Sequence, residues 1–228
     1  QTIREEESEV LRVLTALTDI LREALPELDP LLAEMGRIDV TFALAELAER
    51  MGAVEPTVGP GPGGARDVSV QGARHPLLLA QRWQEPDRPV VPVDLHLDGE
   101  HPLLVITGPN AGGKTVVLKT LGLLSLMAQS GFHLPAGEGA RLPVFEQVFT
   151  IIGDDQSVAE NLSPFSAFVK QLRDVLEHVD DRSLVLLDEL GAGTDPDDGA
   201  ALAQAVLEEL AGRGAFCAAS THLEPLKG

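Results

Sequence analysis

Apolar residues in the first fifty positions recur at helical intervals: Val10, Leu14, Leu17 and Leu21, then, past Pro26 and Pro30, Leu31, Ile38, Phe42, Leu44 and Leu47. This spacing predicts two or three helices broken at the prolines, with the run Glu5, Glu6, Glu7 as a solvated face. Past residue 65 the pattern changes to short apolar runs alternating with amphipathic stretches. Strands are expected near 68–70, 90–97, 103–107, 144–152, 183–187 and 215–220, and helices near 114–129, 164–179 and 197–211. Strands joined by crossover helices imply an α/β fold, a largely parallel sheet with helices on its faces.

Between the two patterns, residues 52–64 (GAVEPTVGPGPGG) have the glycine and proline density of a linker. The expected organisation is therefore a small helical segment over 1–55 and an α/β domain over 65–228. With 228 residues, 44% of them hydrophobic, the chain can bury one large core or one core plus an appendage. Cys217 is the only cysteine, which excludes an internal disulfide and suits a small buried hydrophobe. No leader pattern and no membrane-length apolar run is visible, so a cytoplasmic protein without membrane contact is expected. The chain starts at Gln1 and stops at Gly228 straight after a predicted strand, and so reads as a piece of a longer protein. Its formal charge of −19 speaks against these residues being mainly a nucleic-acid grip, because such binding rests on cations neutralising phosphates.

Against that acidity stands one stretch suited to anions. Gly108, Pro109, Asn110, Ala111, Gly112, Gly113, Lys114 and Thr115 match G-x-x-x-x-G-K-[ST], after the apolar run LLVIT and before the helical pattern that opens with Thr115 and Val116. Glycines let successive N–H groups turn inward at the positive end of a helix, a concave site for phosphate. Lys114 is expected to reach the β- and γ-phosphates of ATP, and the Thr115 hydroxyl to be a ligand of magnesium (Mg2+).

A second apolar run, SLVLL, ends in Asp188 and Glu189. At the C-terminal edge of a parallel sheet such carboxylates face the ligand crevice. Asp188 would hold magnesium directly or through water, and Glu189 would orient and deprotonate the attacking water. His222, after the strand pattern AFCAAS, would stand at the same edge, placed to sense the γ-phosphate. His96, His101, His133 and His178 lack metal-ligand spacing and read as surface or packing residues, while His75 reads as a turn before Pro76.

The wordings TGPNAGGKT, LLDELGAGTDPDDGAALAQAVLEEL and STHLEPLKG, with GARHPLLL and GFHLPA at corresponding places, closely resemble the ATPase domain of the MutS family. IGDDQSVAENLSPFSAFVKQL is similar to the MutS-two branch. Mismatch-recognising members tend to have Gly-Arg-Ser-Thr where this chain has Asn161, Leu162, Ser163 and Pro164.

The resemblance implies a P-loop fold of the ABC-ATPase-like type, preceded by the end of a lever region. Its implied partners are a second identical subunit and a nucleic-acid substrate, DNA or a ribosome, gripped through regions outside this chain. Its implied roles are ATP-driven clamp movement in suppressing recombination or in ribosome splitting. Nuclease activity is associated with a further domain and is not expected of these residues. By the same resemblance Ser163 would meet the ATP of the partner subunit, Asp195 would cross the interface beside the second site, and Asn110 would lie near the nucleotide. Ser163 before Pro164, and Asp195 before Pro196, also read as plain helix caps.

Competing readings are the mismatch-repair branch, a transporter ATPase, whose L-S-G-G-Q signature NLSPFSAF only partly echoes, and a chromosome-organising ATPase, whose long heptad runs are expected to be absent. A small kinase or GTPase leaves Glu189 and His222 without a role.

Overall fold

A computed structural model of the chain describes residues 2–109, 112–153 and 164–222. The chain divides into two units, Gln1–Leu47 and Ala48–Gly228.

The first unit is helical. Helix α1, Thr2–Met51, continues through Pro26 and Pro30 instead of breaking there. Val10, Leu17, Ala24, Leu31, Ile38 and Ala45 recur every seven residues, as do Leu14, Leu21, Leu28, Met35 and Phe42, and both prolines fall between these two rows on the opposite face. Each proline lacks the N–H that would bond the carbonyl four residues back, that of Arg22 or of Pro26. The two rows extend over about five repeats. Their large apolar residues are exposed in this chain, Val10 by 52% and Phe42 by 72%.

The expected single sheet is two in the second unit. The first has order β1-β5-β2-β3, made of Thr57–Val58, Arg141–Leu142, Val68–Ala73 and Val93–Leu97, with β2 antiparallel to both neighbours. The linker-like stretch 52–64 lies inside this unit. Val54 bridges Leu134, and β1 pairs with β5. The Arg74 guanidinium donates to the carbonyls of Met51 and Gly52 at 3.1 and 2.9 Å, which satisfies the end of α1. Directly after His75 the chain forms a short helix, α2 (Pro76–Gln81), where only a turn was expected.

The second sheet is fully parallel, with order β4-β8-β7-β6: Leu103–Thr107, Phe216–Thr221, Ser183–Leu187 and Gln147–Ile151. Helices α3 (Lys114–Gln129), α4 (Pro164–His178) and α5 (Pro196–Gly212) alternate with these strands. Every residue of β7 is buried, and its side chains divide by the two-residue period of a strand. Leu184 and Leu186 join Leu118, Leu121 and Leu124 of α3 in one core, while Val185 and Leu187 join Leu172 and Val175 of α4 and Val206 and Leu210 of α5 in the other. In α3, Gly122 permits close approach, since a Cβ there would stand 2.7 Å from Leu186 Cδ1. The register pairs Thr107 with Thr221 and Leu187 with both Ala219 and Ile151, so all four strands end along one edge.

Candidate functional site

That edge collects the polar residues. Past Thr107 the backbone turns at Gly108 with φ 145°, and Gly113 precedes α3 at φ 79°, ψ 16°, a left-handed geometry that strains any residue bearing a Cβ. The α3 axis then opens at Lys114, whose side chain is 5% exposed. Its ammonium donates to the Gly108 carbonyl at 2.7 Å and lies 3.3 Å from His222 Nε2. An ammonium has donors and no acceptor, so in a hydrogen bond across that distance Nε2 would be the acceptor. His222 Nε2 also stands 3.9 Å from Glu189 Oε1, a longer approach that would become an ion pair only on protonation.

One residue along, the Thr115 hydroxyl donates to Asp188 Oδ2 at 2.7 Å, joining the first turn of α3 to the end of β7. Asp188 is anchored through its own N–H, which donates to the Ile151 carbonyl at 2.8 Å, and its Oδ1 accepts from the Ser220 hydroxyl. Glu189 follows at φ 53°, the one non-glycine residue of positive φ among those described. Its N–H donates to Ser220 Oγ at 2.9 Å, and the next N–H, of Leu190, donates to the Ser220 carbonyl at 2.8 Å. The Thr221 hydroxyl donates to the Leu190 carbonyl at 2.9 Å. Asp188 is half-buried while Glu189 and His222 face outward.

The loop after Leu190 returns to the helix that follows it. Gly199, in the first turn of α5, leaves no room for a Cβ, which would meet the Gly191 carbonyl oxygen at 2.2 Å. Gly193 lies where a Cβ would be 3.6 Å from Cβ of Phe165 in α4.

The structure therefore brings together Gly108, Gly113, Lys114, Thr115, Asp188, Glu189 and His222. Pro109 and Gly112 lie in the same loop, and Val116 is exposed on the first turn of α3. Asn110, Ala111 and Ser163 fall outside the described residues, as do Asp154 and Asp155. Asp195 is exposed and caps α5, its Oδ1 accepting from the Asp197 N–H at 3.0 Å. The remaining histidines lie elsewhere. His96 and His101 share Asp98 at 3.2 Å each, and the His178 ring lies 2.8 Å from the Asp174 carbonyl. His75 is 8% exposed, its Nδ1 has no hydrogen-bond partner among the described residues, and burial followed by the charge of Lys119 lowers its pKa. Ser220 and Thr221 carry no role in the sequence motifs. Their signal is a pair of hydroxyls closing a strand that is otherwise apolar and wholly buried.

The model of MutS domain V matches residues 104–228, from the second residue of β4 through every element of this edge. Among curated relatives, the endonuclease MutS2 of Geobacillus thermodenitrificans is 45% identical over 222 residues, covering 97% of this chain and 27% of its own length. Those of Caldicellulosiruptor saccharolyticus and Geobacillus kaustophilus are 40% and 49% identical, covering 98% and 85% of this chain and 27% and 23% of theirs. The chain thus spans about a quarter of the length of these relatives. With more than half of its residues matched, on the strands and helices that carry the site, the chain belongs to the MutS family.

Proposed function

We propose that this edge binds ATP with magnesium and hydrolyses it, within a P-loop fold of the ABC-ATPase-like type. The observation that carries the reading is the meeting of the Thr115 hydroxyl and the Asp188 carboxylate at 2.7 Å, immediately beside Lys114 at the start of a 16-residue helix. A hydroxyl and a carboxylate are hard oxygen donors of the kind magnesium takes, and the fit is to that ion more than to a soft metal. Magnesium, when bound, supplies positive charge between phosphate oxygens and the acidic sheet edge.

The chain's own residues divide the work. The first-turn N–H groups of α3, which have no intrahelical acceptors, receive phosphate oxygens. Lys114 exchanges the Gly108 carbonyl and His222 for phosphate. Glu189, exposed and next to the metal-holding Asp188, accepts the proton of the attacking water as the water oxygen bonds to phosphorus and the ADP oxygen leaves with the bond pair. His222, released from Lys114, faces the γ-phosphate. Asn110 and Ala111 complete the loop, and Ser163 and Asp195 of a second subunit complete the site in a homodimer.

The branch is that of the MutS-two proteins, supported by the names of the relatives above. The endonuclease activity in their names belongs to proteins about four times as long, and these residues are assigned nucleotide hydrolysis alone. Contact with DNA or ribosome by the whole protein would run through other regions, in keeping with the charge of −19 here.

Steady-state hydrolysis with and without magnesium tests the reading. Glu189→Gln should retain ATP while turnover falls by on the order of 10²–10⁴, the effect of removing a general base. Lys114→Ala should lose nucleotide binding itself. Unchanged turnover in Glu189→Gln, or equal affinity for ATP with and without magnesium, would overturn it.

A further inference from the structure

Strand β8 is apolar until its last two residues, and both then reach across to the end of β7. Ser220 is fully buried, a costly place for a hydroxyl unless its bonds are made. It makes both kinds: its O–H donates to Asp188 Oδ1, and its oxygen accepts the Glu189 N–H at 2.9 Å. The register explains why it alone can do so. Leu187 is the last β7 residue paired with β8, opposite Ala219, so Ser220 stands where β7 leaves the ladder.

Two consequences follow for the neighbouring strand. The Asp188 carboxylate is held at both oxygens, by Ser220 at Oδ1 and by Thr115 at Oδ2, so rotating it breaks at least one bond. Glu189 occupies a backbone region that residues with a Cβ avoid, and its N–H is tied there by the same hydroxyl. We infer that Ser220 is a positioning residue of the nucleotide site: it sets the plane of the Asp188 carboxylate and holds the Glu189 backbone in its strained turn. It acts through these two residues and not on phosphate. The inference rests on the hydrolytic reading for its kinetic effect and on hydrogen-bond geometry alone for its effect on the backbone.

The experiment therefore reads both, on the whole 228-residue chain. ATP hydrolysis is titrated against free magnesium in wild type, Ser220→Ala and Ser220→Thr, and amide hydrogen exchange is followed over the peptide spanning 188–190. In Ser220→Ala, loss of a charge-assisted bond should lower kcat by about 10- to 100-fold, raise the magnesium needed for half-maximal rate several-fold, and speed exchange at Glu189 about 10-fold. The KM for ATP should stay within about three-fold, since the phosphate-binding groups of α3 are untouched. Ser220→Thr, which keeps the hydroxyl, should restore all of these readouts.

Wild-type exchange and magnesium dependence in Ser220→Ala, or a Ser220→Thr protein as impaired as Ser220→Ala, would overturn the inference. Should Ser220→Ala fail to fold, Ser220→Cys keeps the shape, weakens both bonds, and is judged by the same readouts. A wild type that hydrolyses no ATP at any magnesium concentration would overturn the nucleotide reading, whereas faster exchange in Ser220→Ala would still support the clamp.

Discussion

Glu189 carries a backbone cost as well as a carboxylate. A left-handed conformation costs a residue with a Cβ roughly 1–2 kcal/mol, and glycine would avoid that cost while gaining about 0.5–1 kcal/mol of unfolded-state freedom. Glu189→Gly should therefore leave the thermal midpoint unchanged or raise it slightly while ending hydrolysis, as thermal unfolding and turnover measured on one sample would reveal. A fall of several degrees would mean that the carboxylate itself stabilises the fold. Cys217 sits at the opposite extreme of reactivity. Complete burial pushes its thiol up to about 12 from an ordinary value of 9.0. The native chain should not react with a thiol reagent at pH 8, and the unfolded chain should react at once. Because the folded state holds this proton more tightly, the associated stability is complete below about pH 9 and is lost as pH rises toward about 12.

Among the elements, those built on apolar periodicity were legible. Strands β4 and β7 and helix α3 span the residues that the pattern alone predicts, because each is an uninterrupted apolar run or a helical stripe flanked by glycine or charge. The two-residue strands β1 and β5 were not, since they lie in glycine- and proline-rich sequence and exist only through partners some eighty residues away. The same limit hid the second sheet: alternation identifies a strand but not its neighbour. In α1 the prolines lie inside one helix, although a proline taken locally predicts a break. At the site, Lys114, Thr115, Asp188 and His222 were visible as residue types in motifs, whereas Ser220 was hidden because its role exists only across a strand pair.

Two glycines test how closely the elements pack. A Cβ at Gly199 would meet backbone, the Gly191 oxygen at 2.2 Å, while one at Gly122 would meet the end of a leucine side chain at 2.7 Å. Backbone cannot swing aside, so Gly199→Ala should destabilise by about 1–3 kcal/mol or more and displace the loop after Glu189. Gly122→Ala should cost less than Gly199→Ala, because repacking of Leu186 and a helix-propensity gain of about 1 kcal/mol work in its favour. Denaturant midpoints of the two variants provide the check, and equal losses would contradict it.

For the molecule as a whole, the acidic balance and the exposed heptad rows of α1 pull in different directions. A charge of −19 opposes association, while an unbroken apolar stripe favours it. Removing residues 1–47 should therefore reduce self-association and dye binding to apolar surface, as measured by sedimentation and fluorescence at high salt, where charge repulsion is screened. If the shortened chain associates as strongly as the full one, the contact lies in the second unit. Among the described residues no helix is long and apolar enough to cross a membrane.

The strand order β4-β8-β7-β6 also bears on how the protein is made. Lys114 and Thr115 follow β4, and Asp188 follows β7, yet these strands are not neighbours. The strand between them, Phe216–Thr221, leaves the ribosome after both. Until it does, the parallel sheet lacks its centre and two strand edges stay open to wrong partners. A nascent chain arrested before Phe216 should accordingly be protease-sensitive and unable to retain nucleotide. Both deficits should vanish within a few residues of Thr221 clearing the exit tunnel.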